Sequence, residues 1–158
     1  MTTPRAATPD DVEVLAALWH AGWRDAHLGH VPEALMPHRR PGDFRERMKP
    51  RVSLTTVAVS GARPVGFVTV HGDEVEQLYV SAEARGQGVA DALLRHAEQA
   101  IAARFPLAWL AVVPGNARAR RFYERNGWRD AGAFDYPAET ADGTILVPCR
   151  RYEKPTTV

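Results

Sequence analysis

Between Leu54 and Ala90 the chain changes its repeat in a way that restricts the architecture severely. Leu54 to Val59, Val65 to Val70 and Val75 to Val80 are runs rich in β-branched residues, broken at Ser60-Gly61 and at His71-Gly72-Asp73. Such runs with such breaks are strands joined by tight turns. Directly after Val80 a glycine-containing segment leads into residues 88 to 104, where Ala90, Leu93, Leu94, Ala97 and Ile101 recur at helical spacing on one face. Three antiparallel strands feeding an amphipathic helix require a sheet with that helix laid against it.

The flanking segments extend the pattern. Thr8-Pro9-Asp10-Asp11 carries an N-cap, a proline at the first helical position and acids that complement the dipole. Val12, Leu15, Ala16, Trp19, Trp23 and Ala26 then give one apolar stripe through about residue 27. From Gly29 to Pro50 prolines and glycines interrupt the chain, and the pair Phe44 and Met48 marks only a short helix. Leu107 to Val113 reads as a buried strand ended by Pro114-Gly115, and Asn116 caps a second helix that Gly127 stops near Asn126. Trp128 to Asp135 and Ile145 to Tyr152 read as closing strands around a polar loop. The expected fold class is therefore α/β (α+β), with a mixed, mostly antiparallel central sheet in a single domain spanning 1–158.

Composition removes several function classes. Twenty Lys and Arg balance nineteen Asp and Glu, without the basic excess of a nucleic-acid binder. With 45% hydrophobic and 25% charged residues, the 158-residue chain reads as a globular domain of ordinary make-up. Cys149 has no second cysteine to pair with, and neither a CxxC nor a Cys/His ligand spacing supports a structural zinc site. His20, His27 and His30 lack the carboxylate that would complete a metal set, so no metal is expected. No apolar run is long enough for a membrane span and the start lacks a leader's apolar stretch, so a cytoplasmic location is expected.

The segment Arg85-Gly86-Gln87-Gly88-Val89-Ala90 suits an anion, because the unpaired N–H groups of a helix start lie at the positive dipole end and small residues let a phosphate approach them. A P-loop is excluded by the absence of Gly-Lys-Ser/Thr, and the dinucleotide fingerprint wants a glycine where Asp91 stands. These six residues resemble the Gln/Arg-x-x-Gly-x-Gly/Ala motif of the GNAT superfamily of acyl-CoA-dependent N-acetyltransferases, with Glu76-Gln77-Leu78-Tyr79-Val80 as the strand before it. Downstream, Asn116-Ala117-Arg118-Ala119-Arg120-Arg121-Phe122-Tyr123-Glu124-Arg125-Asn126-Gly127-Trp128 is similar to the family's Asn-x-x-Ala-x-x-Phe-Tyr-x-x-x-Gly-Phe segment, with Trp in the last place. The resemblance runs from Pro4 to about Trp128; Gly29 to Pro50 and the chain beyond Asp130 carry no family signal.

The resemblance implies helices on both faces of the sheet and acetyl-CoA as co-substrate. It places the pantetheine arm against the backbone of Leu78, Tyr79 and Val80, and the pyrophosphate on the amides of Arg85, Gly86, Gln87, Gly88, Val89 and Ala90, with Asn116 as a hydrogen bonder on the cofactor side. Acetylating a protonated amine needs a base, and Glu74 and Glu76 are the candidates, on one strand face with Leu78 and Val80 by the period-two rule. Glu74 stands where many members of the family place their base, whereas the carboxylate some relatives carry five residues before the Asn is Ala111 here. Tyr123 is the candidate acid for the departing thiolate. Cys149 reads as a buried apolar residue and not as an acyl carrier, which leaves direct transfer. Trp19 and Trp23 read equally as core and as acceptor-pocket wall, Arg118, Arg120, Arg121 and Arg125 as a solvated basic face from which one or two could reach the coenzyme A phosphates, and Asp135, Glu139 and Asp142 as a loop suited to a cationic acceptor or an exposed turn.

The expected function is acetyl transfer from acetyl-CoA to a primary amine of a small molecule. A protein N-terminus or lysine is the alternative acceptor, and a non-catalytic acyl-CoA-binding regulator the alternative of another class. Neither nucleic acid nor membrane is an expected partner, and a homodimer through the closing strands stays open.

Overall fold

The computed structural model describes residues 2–156. Its strands are β1 (Thr3–Ala6), β2 (Thr55–Ser60), β3 (Arg63–His71), β4 (Glu74–Val80), β5 (Leu107–Val112), β6 (Arg129–Thr140) and β7 (Gly143–Pro155). The α-helices are α1 (Val12–His27), α2 (Pro41–Met48), α3 (Val89–Ala102) and α4 (Ala117–Arg125). One sheet takes the order β1-β2-β3-β4-β5-β7-β6, antiparallel throughout except for the β4–β5 pair. No helix among the described residues is long and apolar enough to cross a membrane.

Strand alternation divides the core in two. Ala58, Val68, Val75, Leu110 and Tyr152 point to the face covered by Leu93, Leu94, Ala97 and Ile101 of α3. Their neighbours Val57 and Phe67 point the other way, to Leu15, Trp19 and Trp23 of α1 and Phe44 and Met48 of α2. Each face thus buries its own helical layer, as expected for helices on both sides of a sheet. Gly22 marks the close approach of α1 to β4, since a Cβ there would overlap the Tyr79 ring. In an open helix Gly→Ala gains about 0.5–1 kcal/mol. Overpacking by an extra carbon costs about 1–3 kcal/mol, so Gly22→Ala is expected to lower the urea midpoint; a raised midpoint would mean that Tyr79 has room to move aside.

Three readings need correction. β1 was not anticipated: its four residues are exposed, so no burial pattern reveals them. Arg5 secures it by donating to both oxygens of Asp11 at 2.8 and 2.9 Å, and that contact holds the Asp11 carboxyl down to about 2. The closing strands are longer than expected and form a hairpin turning at Ala141 and Asp142, which places Asp135 and Glu139 within β6 and not in a loop. Finally, Glu74, Glu76, Leu78 and Val80 do not share one face. The register steps from Thr69↔Gln77 to Val70↔Val75, so β4 carries one extra residue, a bulge at Glu76. The bulge inverts the parity: Val75, Leu78 and Val80 all face α3, and Glu74 is freed to the opposite side.

Candidate active site

β4 and β5 are joined at a single pair, Glu74↔Trp109. Trp109 fixes this point by donating its N–H to the Asp73 carbonyl at 3.1 Å and its indole Nε1 to Asp73 Oδ1 at 3.0 Å. Beyond it the strands part, and a cleft opens between Glu76–Tyr79 of β4 and Leu110–Val113 at the end of β5. The outer edge of β4 therefore offers unpaired backbone N–H and C=O groups inside the molecule, a strand edge that an extended ligand can pair with. Leu78, Tyr79 and Val80 lie on that edge, as do the walls supplied by Asn116, Ala119 and Tyr123 of the second motif.

At the end of β4 the glycine turn bends the chain into α3. Gly86 and Gly88 adopt φ of 78° and 79°, and an added Cβ at either would meet no protein atom within 4 Å. Gly88 is the N-cap and brings no side-chain acceptor, so the first N–H groups of a 14-residue helix stay without a capping partner. Left-handed glycines, free amides and open space above them fit a pyrophosphate. Among the other residues of the turn, Arg85 pairs with Asp25 at 3.1 Å, Gln87 donates to the Glu83 carbonyl at 3.3 Å, Val89 is buried in the core, and Ala90 borders the cleft. Gly88→Ala forces a residue with a side chain into the left-handed region, costing about 1–2 kcal/mol. The expected result is a comparable loss in urea unfolding with a roughly tenfold rise in the Kd for coenzyme A by calorimetry, 1.4 kcal/mol being a factor of ten. Unchanged binding would place the pyrophosphate elsewhere.

The two acids of β4 come together but in different surroundings. Their carboxylates and the imidazole of His71 offer atoms within 4.8 Å of one another. Glu76 is held by the guanidinium of Arg51, which supplies the positive charge at this spot, and Arg51 also reaches Glu139 at 3.6 Å. Glu74 is only 9% exposed and accepts a 2.7 Å hydrogen bond from the Tyr136 hydroxyl. Burial raises its proton affinity, the Tyr136 bond partly offsets this, and the nearby Glu76 charge adds to the rise. The Glu76 carboxylate is occupied by Arg51, whereas Glu74 has the raised proton affinity a base needs. Tyr136 escaped the sequence reading because it reaches the site from β6, 62 residues downstream, where no motif marks it.

Tyr123 lies where the acceptor end of the cleft meets the end lined by the glycine turn. Its ring packs edge-on against Phe122 at 5.2 Å and Trp128 at 6.2 Å, and burial raises its phenol well above the ordinary value. It therefore stays protonated throughout the neutral range. Asn116 caps α4 by accepting from the Ala119 N–H at 3.2 Å while also lining the cleft. The four arginines of α4 separate. Arg118 and Arg125 border the cleft, while Arg120 donates to the Tyr152 hydroxyl at 3.1 Å, to the Pro114 carbonyl at 3.1 Å and to Asp130 at 3.3 Å, so it braces β7 and is not simply solvated.

The acceptor end is walled by residues of α1, α2 and the closing strands. Trp19 and Trp23 belong both to the core and to the cavity wall, which merges the two readings. His27 stacks on Trp23 at 5.1 Å, its Nδ1 donates to the Trp23 carbonyl, and burial lowers its pKa to about 4, so it is neutral. Cys149 is 6% exposed with its thiol pushed up to about 11 by burial, which keeps it out of thiolate chemistry near neutral pH. Arg39 and Arg47 complete the wall.

An extended ligand edge, a phosphate-compatible turn and a buried carboxylate beside the cleft define an acyltransferase-type site. The family model of the acetyltransferase (GNAT) family matches residues 16–128, and the chain belongs to this family. It is an acetyl-CoA-dependent acetyltransferase. In fold it is similar to a GCN5-related N-acetyltransferase from Rhodopseudomonas palustris, with TM-score 0.76 and 20% identity over 98% of this chain and 96% of that one. A PaiA N-acetyltransferase from Thermoplasma acidophilum, solved with coenzyme A, gives 0.73 and 18% over 98% and 99%. A ribosomal-protein-alanine N-acetyltransferase from Brucella melitensis gives 0.71 and 18% over 97% and 99%. Comparison with proteins of curated function returns no match.

Proposed function

We propose that this enzyme acetylates the primary amine of a small molecule by direct attack within a ternary complex, with Glu74 as the base and Tyr123 as the group that meets the leaving sulfur, in one domain acting in the cytoplasm. Acetyl-CoA supplies the activated acetyl group as a thioester. The observation that carries the reading is the cleft itself: one end borders the glycine turn and α3, the other ends in a walled cavity at Glu74, and Tyr123 stands between them.

The chain's own groups then have distinct tasks. The free edge of Leu78, Tyr79 and Val80 would hold the pantetheine arm, and amides from Arg85 to Ala90 the pyrophosphate, with Asn116 alongside. A primary amine with a pKa near 10 arrives protonated at neutral pH, so Glu74 must take its proton before attack. The Tyr136 hydroxyl keeps the Glu74 carboxylate oriented, and Trp19 and Trp23 supply apolar wall. Leu35, Arg39, Arg47 and Tyr136 line the cavity around Glu74 and would contact a small acceptor directly, which supports this reading. A screen of amines, amino acids and peptides, following free coenzyme A thiol, tests this. Turnover with small amines is expected, and turnover with peptides alone would overturn it in favour of a protein acceptor.

A further inference from the structure

The acceptor end of the cavity contains a positive group that forms no ion pair among the described residues. Three arginines meet there. Arg51 is bound by the Glu76 and Glu139 carboxylates. Arg39, 5% exposed, donates to the His38 carbonyl at 2.9 Å and the Glu139 carbonyl at 2.8 Å, both neutral acceptors. Arg47 has, among the described residues, no carboxylate within ion-pair distance and no side-chain hydrogen bond; its Nε is buried and unpartnered. It is held only by stacking, with its guanidinium carbon 4.5 Å from the centre of the Trp19 ring, and the Trp19 indole N–H is likewise buried without an acceptor. Both Arg39 and Arg47 line the cavity that ends at Glu74.

A guanidinium removed from water without an anion is costly, and protein interiors usually supply the partner. Burial is the largest cause that brings the Arg47 pKa down to about 10; the charges of Arg39 and Arg51 add to it, and the Glu139 and Glu76 carboxylates partly oppose it. The planar fork of arginine matches a carboxylate in two parallel hydrogen bonds. We propose that Arg39 and Arg47 bind a carboxylate carried by the acceptor, so that the substrate is an amino acid whose amine faces Glu74. This rests on the small-molecule reading above, and it reverses the cationic preference that Asp135, Glu139 and Asp142 suggested in the sequence. Glu139 lies 3.6 Å from Arg51, which offsets part of its charge towards a cationic substrate.

The experiment compares matched acceptors that differ only in the carboxylate: phenylalanine with phenethylamine, leucine with isoamylamine, and 4-aminobutyrate with propylamine, the last pair testing a longer spacing. Free thiol release gives kcat/KM for each. At least one acid is expected to exceed its partner by about 10–100-fold, the range of a charge-assisted pair. In Arg47→Met that ratio is expected to collapse towards one, with KM for the acid carrying most of the loss, and in Arg47→Lys to fall partway, because charge remains and the fork does not. Coenzyme A calorimetry verifies that each variant is folded. Should Arg47→Met fail that check, Arg47→Lys and Arg39→Lys decide the matter, and an unchanged ratio in both overturns the proposal. Equal turnover of acid and amine by the wild type overturns it while leaving small-amine acetylation intact. Peptide turnover with neither member of any pair accepted overturns the small-molecule reading and this inference together.

Discussion

Glu74→Gln is expected to reduce kcat/KM at neutral pH by about 10²–10⁴-fold, the span of a positioned general base. The substitution keeps the shape and can still accept from the Tyr136 hydroxyl, so the loss isolates the proton-accepting step. The sign of the pH dependence follows from the environment. Burial raises the Glu74 carboxyl above the ordinary carboxylate range, so the wild-type rate falls as pH drops through this elevated value, where the base becomes protonated. Glutamine has no such limb. Its residual rate rises with pH as the acceptor amine, with a pKa near 10, deprotonates unaided. Glu76→Gln behaves differently, since it strips Arg51 of its main partner in a site where that side chain is 14% exposed. It is expected to weaken stability and acceptor binding while keeping an acid limb, moved to lower pH because the Glu76 charge no longer adds to the rise at Glu74. Profiles of kcat/KM against pH for the two single variants distinguish the acids, and a wild-type limb surviving in Glu74→Gln would transfer the role away from it.

What the sequence could reveal followed from how local each signal is. The β2–β4 runs and the α3 stripe are visible because each satisfies one burial pattern over consecutive residues. The glycine turn is visible because its left-handed φ at Gly86 and Gly88 demands glycine. The bulge at Glu76 is not, since one unpaired residue leaves the run of strand formers unchanged while reversing which side chains share a face. The same limit hid the acceptor end. Tyr136 lies on β6 and Arg47 on α2, and only the fold brings them against β4; neither sits in a periodic or motif context that marks it. The residues proposed to hold the cofactor form contiguous motifs, whereas those proposed to meet the acceptor come from separate segments that only the fold joins.

Tyr123→Phe is expected to lower single-turnover thiol release by about 10²-fold, at the lower end of the range for general acids. The reason is thermodynamic. A thiol has a pKa near 8.5 and a free phenol one near 10, and burial raises the Tyr123 phenol further, so complete transfer of its proton to a departing thiolate runs uphill. What the hydroxyl can do at little cost is donate a hydrogen bond to the sulfur as negative charge develops there, with solvent completing protonation after release. Loss of one such bond to a charged acceptor is worth about 1.5–3 kcal/mol, equivalent to roughly 10–150-fold. The ring itself is retained, so its contacts with Phe122 and Trp128 persist and coenzyme A affinity should barely change. A hydrogen bond to developing charge matters less when the leaving thiolate is intrinsically stable. With an aryl thioester as acetyl donor, the difference between wild type and Tyr123→Phe is therefore expected to shrink towards unity. If stopped-flow rates with acetyl-CoA are the same in both proteins, Tyr123 serves only to pack the wall of the cleft; a deficit of equal size with both donors would instead assign its hydroxyl to positioning the substrates.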